Sequence, residues 1–394
     1  MDRAPLDFPH QPNPAPRHPS WPRFALLVAL LLGLLPGCPA PTGNTSGGIA
    51  SADGSGGDSG PGPGADTQGQ PPASTLSQGP AIELVTNKKY FSRANEVIQT
   101  AQKKLRIVQF ETGMGYAPEN LTQALIAAKN RGVDVKVLLD QEVSYNQTTM
   151  ANLKAAGVNV MMDSNKVRTH AKIVASEQGF VIGSTNWSST SIEKNNETNI
   201  LVRDAGLTGQ LHTWLDKLWK TPNLNVSMPS GSTSVATLYA DGGYAALAGT
   251  MLDGAKSGST VQLCTYGMNV DPSDTGSPVT KTVGKIGAAV KRGVKVQVVL
   301  DMSYEPGDGS ESINQAAANY LKSLGADVKV ASTSQVTHAK FLIVDNTVIL
   351  GSNNWGYGGF VSYHEVGARF SNNQAVSDLK AFFSTLWTAG TPWK

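Results

Sequence analysis

THAKIVASEQGFVIGSTNW, residues 169–187, returns as THAKFLIVDNTVILGSNNW, residues 337–355, with eight of nineteen positions identical and no gap. A second block, RGVDVKVLLD at 131–140, returns as RGVKVQVVLD at 292–301, identical at seven of ten. The blocks keep their order, and their separations of 161 and 168 residues leave a seven-residue excess in the second copy. The stretch SYEPGDGSES at 303–312 is the expected place for that excess, because its Pro and Gly mark irregular backbone. A period this long is a domain duplication and not a solenoid repeat.

Within a copy, strand-like and helix-like runs alternate. LRIVQF (105–110) and VDVKVLL (133–139) are rich in β-branched residues, and between them Leu121, Leu125, Ile126 and Lys129 recur at helical spacing. This alternation predicts an α/β fold, each half a mixed sheet flanked by helices. Both halves close on an amphipathic helix, at 207–219 (Leu211, Trp214, Leu215, Leu218) and 375–387 (Leu379, Phe382, Phe383, Leu386). The expected halves are 81–225 and 226–394.

The repeated block also carries chemistry. Each THAK reads as the opening of a strand, where residues i and i+2 face one side. His170 therefore projects with Lys172, and His338 with Lys340. Imidazole can serve as nucleophile or proton donor near neutral pH, and ammonium supplies charge for an anion. Downstream, Gly183-Ser184-Thr185-Asn186 and Gly351-Ser352-Asn353-Asn354 offer close backbone approach and uncharged hydrogen-bonding groups. Together these groups read as a phosphate site. Glu197 and Glu365 each follow the histidine of their half by 27 residues, and each is expected to orient a histidine through its far ring nitrogen. No carboxylate cluster resembles a magnesium or calcium site, so neither metal nor cofactor is expected. Two cysteines, Cys38 and Cys264, exclude a disulfide framework and a cysteine-based zinc site.

At these residues the chain resembles the phospholipase D superfamily, whose motif is His-x-Lys-x4-Asp followed by Gly-Ser/Gly-x-Asn. The second copy matches at His338, Lys340, Asp345, Gly351, Ser352 and Asn354. The first matches at His170, Lys172, Gly183, Ser184 and Asn186, with Glu177 where the family has Asp. The resemblance, over roughly residues 82–390, implies two halves about a pseudo-two-fold axis sharing one active site. It implies one histidine attacking phosphorus to give a phosphohistidine while the other protonates the leaving alcohol; by analogy His170 attacks and His338 is general acid/base. Lys172, Lys340, Asn186 and Asn354, with Ser184 and Ser352, would hold the phosphate, and Glu177 and Asp345 would support the motif from behind.

The start of the chain bears on location. FALLVALLLGLL (24–35) is twelve residues, too short to span a bilayer, and is followed by LPGC ending at Cys38. Residues 1–38 read as a signal peptide with a lipobox, Cys38 becoming a lipidated N-terminus. Pro39 carries no inner-membrane retention signal of the Asp type, so an exported lipoprotein anchored in the outer membrane is expected, or a secreted protein if Cys38 stays unmodified. Residues 39–80 read as a disordered tether: 41–80 hold 11 Gly, 6 Pro and 6 Ser with no Lys, Arg or aromatic residue.

The net charge of +2 announces no nucleic-acid surface. The leading expectation is hydrolysis or transfer on a phospholipid at a membrane surface. A secreted endonuclease using the same site is the alternative, and a non-catalytic binding lipoprotein a third reading. No obligate protein partner is implied.

Overall fold

A computed structural model describes residues 75–164, 166–303, 313–371 and 373–394. The signal, Cys38, most of the tether and all of the expected insertion after Ser303 lie outside the described residues.

The first half alternates β1 (Ile82–Thr86), α1 (Lys89–Thr100), β2 (Lys104–Gln109), α2 (Tyr116–Asn130), β3 (Asp134–Leu139), α3 (Asn146–Ala155) and β4 (Asn159–Met162). It continues with the hairpin β5 (Ile173–Ser176) and β6 (Gly179–Gly183), then α4 (Ser189–Glu193), β7 (Thr198–Val202) and α5 (Ala205–Lys220). The second half repeats the series as β8 (Thr237–Ala240), α6 (Gly243–Gly254), β9 (Thr260–Thr265), α7 (Pro278–Lys291), β10 (Lys295–Leu300), α8 (Ile313–Ser323), β11 (Asp327–Val330), β12 (Phe341–Val344), β13 (Thr347–Gly351), β14 (Val366–Ser371) and α9 (Gln374–Ala389). A short π-helix, Gly358–Ser362, stands where the first half has α4, and β15 (Thr391–Pro392) adds an edge.

Strand order is β1-β7-β6-β5-β2-β3-β4 in one sheet and β15-β11-β10-β9-β12-β13-β14-β8 in the other. Apart from β15 these are the same permutation, so the duplication is one of fold. In each sheet the crossover strands pair in parallel and the hairpin strands antiparallel, giving the mixed character expected.

Both faces of the central strands are covered, which is why they read as continuous apolar runs. Ile173, Phe180 and Ile200 of one sheet share a core with Phe341, Val348, Leu350 and Val366 of the other, closed by Trp214 of α5 and Phe383 of α9. Val174 and Val181 face the opposite way, onto Ala94, Val97 and Ile98 of α1. The terminal amphipathic helices start at side-chain caps: Asp204 Oδ1 accepts from Leu207 N (2.8 Å) and Asn373 Oδ1 from Val376 N (3.1 Å).

The tether ends earlier than its composition suggests. Leu76 is 6% exposed and sits in the first half's outer core; its amide donates to Gln178 Oε1 (2.7 Å), and Arg203 Nε donates to Ser77 O (2.8 Å). One leucine and one arginine recruit residues 76–80 to the folded body, which local composition does not reveal. Leu76→Ala is expected to lower stability by about 2 kcal/mol, at the low end for a core leucine, measurable by urea unfolding.

Candidate active site

Neither THAK lies inside a strand ladder: β5 starts at Ile173 and β12 at Phe341, so each tetrapeptide is an extended lead-in. Its backbone pairs instead with the other half. His170 N donates to His364 O (3.0 Å) and His364 N to Arg168 O (2.8 Å); reciprocally, His338 N donates to Asn196 O (2.9 Å) and Asn196 N to Val336 O (2.8 Å). The leading threonines are tied to their own sheets, Thr169 N donating to Asp140 Oδ2 (2.9 Å) and Asp163 Oδ2 (2.8 Å), Thr337 N to Asp301 Oδ2 (2.6 Å). Asp140 and Asp301 close the two RGV blocks. Their identity in both copies was the available signal of this role, which sequence reasoning left unassigned.

The reciprocal pairing sets each histidine against a carboxylate of the opposite half. His170 Nδ1 is 2.8 Å from Glu365 Oε1, and His338 Nδ1 is 3.0 Å from both oxygens of Glu197. Spacing along the chain associates Glu197 with His170 and Glu365 with His338; in space the partners are exchanged. Each half therefore completes the histidine of the other, and one half alone holds no complete pair.

Ser184 and Ser352 are fully buried and serve the carboxylates, which corrects their reading as phosphate ligands. Ser184 Oγ donates to Glu197 Oε2 and accepts from Thr198 N (2.9 Å); Ser352 Oγ donates to Glu365 Oε2 and accepts from Val366 N (3.1 Å). Asn186 Nδ2 donates to Glu111 Oε2 (3.0 Å). The second half has Gly267 in that place, since the carbonyls of Glu111 and Gly267 accept equivalent bonds from Trp187 N (2.9 Å) and Trp355 N (2.8 Å). The Oδ1 atoms of Asn186 and Asn354 are buried without a hydrogen-bond partner, a bonding capacity left open in both copies of the motif.

The lysines lie beneath the histidines. Lys172 Nζ donates to His170 O, and Lys340 Nζ to His338 O (2.6 Å). Each ammonium faces an aromatic ring, Phe110 at 5.1 Å and Tyr266 at 5.2 Å, and the same rings meet His170 and His338 edge-on at centroid distances of 5.1 and 4.7 Å. These aromatics follow β2 and β9 at the same offset, a signal masked in the sequence because one is Phe and the other Tyr.

Glu177 and Asp345 stand in the hairpin turns, away from the histidines. Glu177 accepts from the amides of Gln102 (2.8 Å) and Lys104 (3.1 Å), and Asp345 from that of Thr260 (2.9 Å). Each ties its hairpin to the start of the neighbouring strand, and the longer glutamate reaches two amides. Glu177→Ala is expected to lower the melting temperature and leave the kinetic constants of the folded protein unchanged, read by calorimetry beside steady-state assays.

A family model described as "Cardiolipin synthase, PLD-like domain" matches residues 95–219 and 250–387. The chain belongs to the phospholipase D superfamily. The mitochondrial cardiolipin hydrolase of Chlamydomonas reinhardtii is 24% identical over 103 residues, 26% of this chain and 46% of that protein. The phospholipase D of Rickettsia bellii (strain RML369-C) is 32% identical over 106 residues, 26% of this chain and 53% of its own. The chain thus spans about half the length of these curated relatives. The crystal structure of phosphatidylserine synthase from Haemophilus influenzae Rd KW20 superposes with a TM-score of 0.60 at 13% identity, covering 80% of this chain and 88% of that one, which is a likeness of fold.

Burial dominates the electrostatics of this phospholipase D-type centre. It lowers Lys172 to about 8 and Lys340 to about 7. Burial also pulls His170 well down, helped by Lys172 and Lys340, and lowers His338 against the opposing charge of Glu197. The two carboxylates part company. Burial pushes Glu365 up to about 7, whereas at Glu197 the same effect is overcome by His338, Lys340 and Ser184, and its pKa falls. The charge of His338 is the largest effect that opposes burial at Glu197, and hydrogen bonding adds to the contrast: besides its histidine, Glu197 accepts from Ser184 Oγ, Ser191 Oγ and Asn195 Nδ2 (3.3 Å), while Glu365 accepts from Ser352 Oγ.

Proposed function

We propose that the protein is a phosphodiesterase that cleaves phospholipids by the two-step route of its superfamily. The observation that carries this reading is the pair of crossed His–Glu contacts, which sets two oriented imidazoles and two lysines in one centre. Burial lowers both imidazoles, His170 further because Lys172 and Lys340 add to it, while Glu197 opposes the shift at His338; the neutral ring is therefore assigned to His170 and the protonated one to His338. His170 Nε2 attacks phosphorus as the bond to the headgroup oxygen breaks, and His338 gives that oxygen its Nε2 proton. Water then attacks phosphorus, passes a proton to His338 and releases His170 as the N–P bond breaks, leaving phosphatidic acid. An alcohol in place of water gives the transfer product.

A lipid substrate is favoured by exposed side chains on the segments that follow the site residues. Met114, Tyr116, Tyr145 and Tyr357 are 78, 75, 46 and 61% exposed, and each lies within five residues of Glu111, Asp140 or Asn354. Large amphipathic side chains of this kind suit a membrane interface better than a phosphate backbone. Lipidation at Cys38 and a Gly/Pro/Ser tether would keep the body near such a surface, in the outer membrane by our reading.

The test is full-length protein on mixed phospholipid vesicles with added ethanol, products read by mass spectrometry. Phosphatidic acid with phosphatidylethanol supports the proposal. Cleavage of DNA without lipid products would transfer the site to nucleic acid, and neither product would leave a binding protein. Because an anion beside Lys172 and Lys340 favours their charged forms, binding of inorganic phosphate near pH 8 should take up protons, seen by calorimetry in buffers of different ionisation enthalpy. Proton release would contradict the assigned pocket.

A further inference from the structure

We infer that His364 is a fixed imidazolium that, with Asp241, positions Glu365 and through it His170. His364 Nδ1 lies 2.8 Å from Asp241 Oδ2 and Nε2 lies 2.9 Å from the carbonyl oxygen of Pro222. A carbonyl only accepts, so Nε2 carries hydrogen. The carboxylate of Asp241 already accepts Val226 N at Oδ2 (2.7 Å) and Glu365 N at Oδ1 (3.1 Å), an arrangement suited to the anion, so Nδ1 carries hydrogen as well. A neutral imidazole has one N–H and cannot fill both places. The two side chains are 0 and 1% exposed, and a single charge buried so deeply without its partner would be far more costly.

The location gives this pair its consequence. His364 makes the backbone bonds that hold the His170 lead-in, and the next residue is Glu365. Asp241 follows β8 directly, in a left-handed conformation at φ 27°, and Pro222 belongs to the connector after α5. Connector, second sheet and the first half's histidine therefore meet on one ion pair. The charged groups around the ring are Asp241, Asp163 beyond β4 and Glu365, and they favour its protonated form against burial.

The first half builds the same corner from neutral amides. Asn87, also left-handed at φ 51°, accepts Glu197 N at Oδ1 (2.9 Å), and Asn196 Nδ2 donates to Thr337 Oγ1 (3.2 Å). Only the His170 side of the centre hangs on a proton. Since folding raises the pKa of His364, its stabilisation is complete below the ordinary imidazole range and is lost as pH rises through the folded value.

Nitrogen NMR of ¹⁵N-histidine-labelled full-length protein near pH 8, where a free imidazole is neutral, tests the charge without any substrate. The ring correlated through bonds to the His364 amide should show two protonated nitrogens; one bare nitrogen overturns the proposal. The kinetic arm rests on the proposed function and uses whichever phosphodiester the wild type cleaves. Asp241→Asn should lower kcat about tenfold to a hundredfold through displaced positioning, with KM little changed. The double variant His364→Asn/Asp241→Asn, which copies the first half, should recover most of that loss. A double variant no better than the single would overturn the positioning role, whereas inactivity of the wild type on phospholipids would count against the lipid reading alone.

Discussion

Glu197→Gln is expected to slow phospholipid turnover by about 10²–10⁴-fold, the range for losing general acid–base help, and to behave as a lesion of His338 although it lies in the other half. Its carboxylate meets His338 Nδ1 at 3.0 Å, holding the ring and favouring its charged form. A glutamine amide can donate to that nitrogen and so supports the wrong tautomer. The loss should therefore depend on the leaving group. With a p-nitrophenyl phosphodiester, whose leaving group departs without a proton, the variant should release one equivalent of p-nitrophenol in a burst and then stall, because water attack still needs His338 as base. Glu365→Gln damages the nucleophile instead, and should show no burst with either substrate. Rapid-mixing absorbance separates the cases. A burst in Glu365→Gln and none in Glu197→Gln would reverse the two histidines' roles, and equal behaviour of both variants would contradict the division of labour.

Much of this was legible in the chain because duplication turns weak signals into paired ones. The two 19-residue blocks located both hairpins, both histidines and both lysines. The alternation of runs gave β2, α2 and β3 close to their observed limits, since those strands are buried on both faces and α2 on one. What the sequence could not carry was which half supports which group. Equal 27-residue spacing identified Glu197 and Glu365, but an exchange of partners across a pseudo-two-fold axis leaves every spacing unchanged. The serines were misread for a related reason. Their type suits a phosphate as well as a carboxylate, and only their complete burial behind Glu197 and Glu365 decides between them.

The asymmetries of the site were equally hidden. Glu111 against Gly267, Phe110 against Tyr266 and Asn196 against His364 stand at equivalent places in the two halves yet differ in type. A search for repeats discards such positions as divergence. In the folded centre they distinguish the two otherwise equivalent histidines, because each alters charge or hydrogen bonding near one imidazole and not the other. Glu177 is the reverse case: it looks like a departure, and its carboxylate performs the strand-tying job that Asp345 performs in the second copy.

His170→Ala should abolish turnover, a loss of at least about 10⁴-fold as expected when a covalent nucleophile is removed, while His338→Ala should fail at a different point. Both rings are buried, so alanine leaves each carboxylate without its imidazole. The two variants lose the same ring, and the step at which each stalls reports what the missing nitrogen did. On ³²P-labelled phospholipid followed by an alkaline quench, which preserves a phosphorus–nitrogen bond, the wild type should carry a small steady-state fraction of label on protein. His170→Ala should carry none. His338→Ala should accumulate label slowly, because attack by His170 needs no base when that ring is neutral, and discharge requires His338 to activate water. Label on His170→Ala but not on His338→Ala would assign the nucleophile to the second half, making Glu197 the carboxylate behind the attacking ring. Label on neither, with wild-type turnover intact, would exclude a histidine intermediate and replace the two-step route by direct attack of water with the imidazoles as acid and base.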